Sequence, residues 1–311
     1  MITKEASIKT NCCEKQLFFD SARRGFEYLL KKIMTDSSSV ILMPGYIGES
    51  VREGSGVFDP IRHTKVNYMF YKLNRDLSVD MEDFRVKIKG PNIKAVLLIH
   101  YFGFPQTSLC DIVDLCKKSG VILIEDCAHT ITSIFNGRRL GEFGDFSFFS
   151  IHKLVPTKAG GFLQINNEEY YSLFDSKVEN IDSSDLSQYV RTDFDVASAI
   201  RRENYKRYLD ALCWSSPYFD ILYPTLQSGV VPLNFPIVIK NYSREKLYYE
   251  LIGKGVITVS LYYQMIAELP KEEFSISYSI SNSILNLPVH QDIVAEDIVM
   301  VSKQLKSIFC E

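Results

Sequence analysis

VILIEDCAHT (121–130) decides how this chain reads. Val121–Ile124 is an unbroken apolar run, the mark of a buried strand, and the strand, Val121–Glu125, ends abruptly in Asp126. Working outward, AVLLIHYFGFPQ (95–106) supplies a second buried strand at Ala95–His100. Thr107 or Ser108 then caps a helix with Leu109, Ile112, Val113 and Cys116 on one face, closed by Gly120. Strand, helix, strand within about 30 residues is the signature of a right-handed βαβ unit in a parallel sheet. Ligands of such sheets collect at the carboxyl ends of the strands, where Asp126 and His129 fall. Further out, Phe146–Ile151 and Gly161–Ile165 read as strands flanking His152–Gly160. Val40–Met43 reads as a strand stopped by Pro44 and Gly45. Phe26, Leu29, Leu30, Ile33 and Met34 recur at helical spacing behind Ser21, a candidate N-cap.

The 311 residues are 46% hydrophobic and 23% charged, with a net charge of −3. That composition is globular, and the length suggests two domains. A near-neutral balance argues against nucleic acid, which asks for a basic surface. No apolar run approaches the roughly 20 residues of a membrane span, and MITKEASIKTNCCEKQ (1–16) has no apolar core of a signal peptide. Seven cysteines, an odd number without regular spacing, suggest free thiols in a reducing compartment. The expectation is therefore a cytoplasmic protein with no membrane and no nucleic-acid partner.

Beyond Asn166 the character changes. Residues 167–195 are polar and weakly periodic. A helix over 196–212 follows, with Arg201, Arg202, Lys206 and Arg207 on its exposed face. Short strands are expected at Phe235–Ile239 and Val256–Val259, and helices at Arg244–Leu251 and near Asp297–Ile308. This reading divides the chain into an N-terminal arm (1–16), a large domain (17–190) and a small C-terminal α/β domain (191–311).

Three features carry chemistry. Asp126 ends a buried strand, where a carboxylate is costly unless it meets a cation; an N-cap or loop ion pair would also explain it. Lys153 follows a strand in Ser150-Ile151-His152-Lys153, where desolvation would make its amine nucleophilic; a lysine reaching out of a loop is the ordinary alternative. Ser21-Ala22-Arg23 opens a helix whose free N–H groups suit a phosphate, and plain capping accounts for it as well.

Taken in order, FDSARRGFEYLL (19–30), VILMP (40–44), AVLLIHYFGFPQ (95–106), VILIEDCAHT (121–130) and GRRLGEFGDFSFFSIHKLVPTKAGGF (137–162) resemble the DegT/DnrJ/StrS family of pyridoxal-phosphate-dependent sugar aminotransferases. NLPVHQ (286–291) adds a weaker echo. The resemblance implies a fold-type I architecture: a mostly parallel seven-stranded sheet with helices on both faces, followed by the small α/β domain. It implies pyridoxal 5'-phosphate as cofactor, with Lys153 as the Schiff-base and acid/base residue and Asp126 on the pyridine nitrogen. His129 would stand beside the ring hydroxyl, and Ser150, Ser21 and the backbone of Ala22 and Arg23 would hold the phosphate. No metal is expected.

The implied reaction is a ping-pong transfer of an amino group from glutamate to a nucleotide-linked keto-sugar. It would serve polysaccharide or glycosylated-metabolite biosynthesis, in a homodimer. Only two residues separate Ser150 from Lys153, fewer than in most members, and the second half of the chain is short. Those departures keep two alternatives open: a dehydratase on the same cofactor, for which His152 would matter, and a non-catalytic family-like subunit. Lys158 is a minor alternative nucleophile. The ring-stacking residue is unassigned between Tyr46 and Gly48, and His100 and Tyr101 read as core residues.

Overall fold

The computed structural model describes residues 16–174, 181–259 and 261–310. The expected arm lies outside the described residues, except for Gln16, which is already part of a strand. In chain order the strands are β1 (Gln16–Phe19), β2 (Val40–Pro44), β3 (Asn67–Tyr71), β4 (Ile93–Ile99), β5 (Ile122–Cys127), the two-residue hairpin β6 (Ile134–Phe135) and β7 (Arg138–Arg139), β8 (Phe146–Ser150), β9 (Gly161–Ile165), β10 (Phe219–Ile221), β11 (Asn234–Ile239) and β12 (Ile284–Pro288). The helices are α1 (Ala22–Ile33), α2 (Asp59–Thr64), α3 (Met81–Lys87), α4 (Leu109–Ser119), α5 (Ser183–Arg191), α6 (Phe194–Ala211), α7 (Arg244–Gly253), α8 (Ser275–Ser283) and α9 (Ala295–Cys310).

Seven strands form one sheet in the order β1-β9-β8-β5-β4-β2-β3. β8, β5, β4, β2 and β3 run parallel, and β9 runs antiparallel to both of its neighbours. The central strands are buried rather than uniformly apolar, since β5 carries Glu125 and Asp126 and β8 carries Ser147 and Ser150. All six residues of β5 are buried, as are the last five of β4. Helix α4 keeps the face read from its spacing, with Leu109, Ile112 and Cys116 buried. It stops where Gly120 takes a left-handed conformation (φ 64°) and returns its N–H to Cys116. Helix α1 is capped by Ser21 and packs Phe26 on Phe148 of β8, ring centroids 4.7 Å apart.

The register Phe19↔Gly161 brings the start of α1 against β9. A Cβ at Gly161 would lie 2.2 Å from the backbone nitrogen of Ala22, so only glycine allows this approach. Gly160 reinforces it by donating its N–H to Asp20 O (2.7 Å).

A second, antiparallel sheet, β10-β11-β12, draws on residues 219–288. Two expectations here need correction. Val256–Val259 is not a strand: Gly255 turns the chain in the left-handed region (φ 81°), and Val259 alone bridges to Asn286. Arg201 and Arg202 do not lie on a solvated face. Arg201 is 3% exposed and turned onto the carbonyls of Pro232 and Leu233, and Arg202 bonds the carbonyls of Gln227 and Val230. Lys206 and Arg207 are exposed as read. Downstream of β11, the segment 261–269 returns to the large sheet. Gln264 O accepts from Glu49 N (3.0 Å), and Ile47 O accepts from Ile266 N (3.1 Å). Among the described residues no helix is long and apolar enough to cross a membrane.

Candidate active site

The C-terminal ends of β5 and β8 and the first turn of α1 open onto one cavity of about 720 Å³. The side chains assigned to the cofactor all line it: Ser21, Ala22 and Arg23 at the start of α1, Asp126 and His129 from the end of β5, and Ser150 and Lys153 from the end of β8; Lys158, the alternative nucleophile, does not. Parallel strands explain the convergence, since their carboxyl ends all point one way.

Asp126 is buried, and one carboxylate oxygen accepts the Ala128 N–H at 2.8 Å. Burial raises its carboxyl pKa, against the opposing pull of that N–H, of Lys153 and of His100. Burial lowers the Lys153 ammonium pKa, opposed by Asp126 and Glu53, which favours the free amine. No carboxylate lies within ion-pair distance of Lys153 among the described residues. His129 is held well below its ordinary pKa, first by burial and then by Lys153. Its Nδ1 accepts the backbone N–H of Phe102 at 3.0 Å. A neutral imidazole that accepts on Nδ1 carries its proton on Nε2, so His129 is a fixed donor.

At the α1 end, Ser21 Oγ donates to Asp20 (3.0 Å) and accepts from Arg24 N at 3.4 Å, while Ser150 Oγ meets His152 Nδ1 at 3.3 Å. The N–H groups of Ala22 and Arg23 belong to the first turn, whose donors have no intrahelical acceptor. The Arg23 guanidinium turns to Glu53 O and Asp59, tying the loop 49–54 beside the cavity.

Glu125, the neighbour of Asp126 on β5, centres a buried polar layer. Glu125, fully buried, accepts from Gly141 N (3.0 Å), Phe143 N (2.7 Å) and Gly144 N (2.7 Å), and pairs with His100 Nε2 at 2.8 Å. His100, Glu125 and Cys127 bring ligand-type atoms within 4.8 Å of one another, but the Glu125 oxygens are already engaged by those four donors. His100 and Tyr101 are core residues as read: Tyr101 OH donates to Tyr46 O at 2.7 Å.

Tyr262 is the wall residue that sequence reasoning missed. It lines the cavity with its ring edge-on to His129 (centroids 5.8 Å) and packs on Tyr46 (5.2 Å). Its backbone is left-handed (φ 60°) and its carbonyl accepts from Ser281 Oγ (2.7 Å). Gly48 makes the room, since a Cβ there would lie 2.8 Å from the Tyr262 ring. Tyr46 is buried behind Tyr262. No local pattern marks Tyr262, because it arrives through the return of 261–269.

Comparison with known proteins agrees with this architecture. The GDP-perosamine synthase of Vibrio cholerae is 39% identical over 97 residues, 30% of this chain and 25% of that protein. The dTDP-3-amino-3,6-dideoxy-alpha-D-galactopyranose transaminase of Aneurinibacillus thermoaerophilus is 25% identical over 242 residues, 67% of this chain and 63% of that one. The matches thus span a quarter to just under two thirds of these relatives' lengths. An aminotransferase structure from Psychrobacter cryohalolentis superposes with a TM-score of 0.79 at 14% identity, covering 95% of this chain and 87% of that one. The E. coli GDP-4-keto-6-deoxy-D-mannose-3-dehydratase superposes at 0.74 with 16% identity, covering 94% and 87%. The fold is that of the fold-type I aminotransferases, and it is shared by enzymes of both reaction types. Residues 59–178 match the model of the DegT/DnrJ/EryC1/StrS aminotransferase family, so over that stretch the chain is similar to its members.

Proposed function

We propose that this chain is a pyridoxal-phosphate-dependent aminotransferase that moves an amino group from glutamate to a nucleotide-linked keto-sugar. It would work in the cytoplasm as a homodimer, with the division near residue 190 separating its two domains. The observation that carries the reading is the convergence, on one cavity, of an amine (Lys153), a buried carboxyl (Asp126) and a helix start with free donors (α1). Those three groups fit the three polar ends of the cofactor. The sugar substrate is supported by the relatives, whose names specify amino-sugar products or sugar acceptors.

When bound, pyridoxal phosphate supplies an aldehyde that holds the amino group and a protonated ring that takes up electrons. Asp126 would hold the ring-nitrogen proton, and its burial would leave that interaction little screened by water. His129, with Nδ1 engaged by Phe102, would offer its Nε2 proton to the ring oxygen. The N–H groups of Ala22 and Arg23, with the hydroxyls of Ser21 and Ser150, seat the phosphate at the positive end of α1. Lys153, whose ammonium pKa burial lowers, would be the amine that holds the cofactor aldehyde and, once free of it, the group that holds the proton moved during the transfer.

The test is the visible spectrum of the protein with pyridoxal phosphate, before and after glutamate, beside Lys153→Ala. The expected result is a band that requires Lys153 and bleaches with glutamate. A Lys153-dependent band indifferent to glutamate points to another amino donor or to the dehydratase reading, and the absence of any band in the wild type refutes the cofactor assignment.

A further inference from the structure

The C-terminal stretch NLPVHQ (286–291), noted in the sequence, has no part in the roles above. Its last residue reaches the turn that carries Lys153. Gln291 Nε2 donates to Leu154 O at 3.2 Å, across 137 positions of sequence, and Gln291 Oε1 accepts from Arg201 Nε at 3.2 Å. Arg201 is itself fixed, 3% exposed, with Nη1 on Leu233 O (3.1 Å) and Pro232 O (3.4 Å). One helical turn along α6, Asn204 holds the same stretch through Ile293 O (2.9 Å), Val289 O and His290 O (3.4 Å each).

The chemistry of the three groups leaves one arrangement. A guanidinium can only donate and a carbonyl can only accept, so a residue between them must present an acceptor to one and a donor to the other. An amide does this, and Arg201 orients it. The turn itself is short: Leu154 N and Val155 N both bond Ile151 O (3.1 and 2.9 Å), which leaves the Leu154 carbonyl to find its partner outside the turn. Lys153 is the residue immediately before that carbonyl.

We propose that Gln291, oriented by Arg201, is a positioning residue that holds the Lys153 turn from the C-terminal part of the chain. The proposal rests on reading Lys153 as the reacting amine, and its test separates the two. Gln291→Glu keeps an acceptor for Arg201 but sets a carboxylate against the Leu154 carbonyl; Gln291→Met keeps the volume and loses both bonds. Each variant is compared with wild type for amide hydrogen exchange over 151–157 and for the rate at which Lys153 captures pyridoxal phosphate, read by borohydride trapping and peptide mapping.

Loss of one hydrogen bond predicts exchange faster by about 5- to 10-fold in that turn. Capture should slow correspondingly, with exchange in α1 and β5 unchanged. Wild-type exchange and capture in both variants overturns the proposal. So does faster exchange spread evenly over the whole sheet, since that is general loosening. If wild type captures no pyridoxal phosphate at Lys153, the aminotransferase reading fails while the exchange data still decide the clamp. If Gln291→Glu does not fold, Gln291→Met decides it alone.

Discussion

Adding one methyl group at Gly161 tests whether the contact between α1 and β9 builds the anion seat. The new Cβ would lie 2.2 Å from Ala22 N, 2.7 Å from Ala22 Cα and 2.7 Å from Phe149 O. All three are backbone atoms, so no side chain can swing aside. Ordinary contact begins near 3.4 Å, and the start of α1 must therefore withdraw by roughly 1 Å. Overpacking of this kind costs about 1–3 kcal/mol of stability. Binding suffers as well. N–H···O bonds of about 2.9 Å stretched by 1 Å are no longer hydrogen bonds. Losing two charge-assisted bonds at about 1.5 kcal/mol each weakens phosphate binding by roughly 100-fold. Gly161→Ala should therefore bind pyridoxal phosphate about two orders of magnitude more weakly, read by absorption titration, and unfold at lower urea. Gly253→Ala, whose Cβ meets nothing within 4 Å, is the control and should match wild type in cofactor affinity. A Gly161→Ala protein with wild-type affinity and stability would refute the argument that the close approach seats the anion.

Two further outcomes follow from the buried polar groups. Glu125→Ala leaves three backbone N–H groups and His100 without their acceptor and should cost about 3–5 kcal/mol in urea unfolding; a loss under 1 kcal/mol would show that water replaces the carboxylate. His129 has a folded pKa below its unfolded value. The unfolded chain therefore binds the extra proton first, and stability falls as pH drops below about 6.5 toward the folded pKa. The slope contributed by this one group is up to about 1.4 kcal/mol per pH unit. His129→Asn should flatten the stability profile between pH 7 and 5 relative to wild type, and an unchanged slope would mean that the imidazole is not buried neutral.

How far the sequence could be read depended on whether a residue's environment is local. β4, β5, β8 and β9 announce themselves because strands buried on both faces carry apolar runs instead of strict alternation. The helices α1 and α4 do so because one buried face leaves a 3.6-residue period. The short helices α2, α3 and α5 have too few turns for a period to stand out, and β1 overlaps the polar stretch read as an arm. Arg201 was misread for a related reason. A charged residue on an amphipathic helix is ordinarily solvated, and nothing nearby in sequence shows that the carbonyls of Pro232 and Leu233 await it.

The same distinction divides the cavity itself. Its floor consists of residues that end strands or start a helix, and the topology of a parallel sheet gathers such positions without reference to the rest of the chain. Asp126, Lys153 and Ser21 could therefore be picked out as candidates one at a time. Its wall, Tyr262, and the support of its lysine turn, Gln291, come from segments that return to the sheet roughly a hundred residues after β9 leaves it. Their signals are complementary rather than periodic. Gly48 lacks a side chain where Tyr262 needs the space, and Gln291 is an amide where a guanidinium and a carbonyl face each other. Such pairs carry meaning only once both members are in place. Substitution at one member should therefore be read against its partner: a side chain at Gly48 and a smaller residue at Tyr262 disturb the same wall from opposite sides.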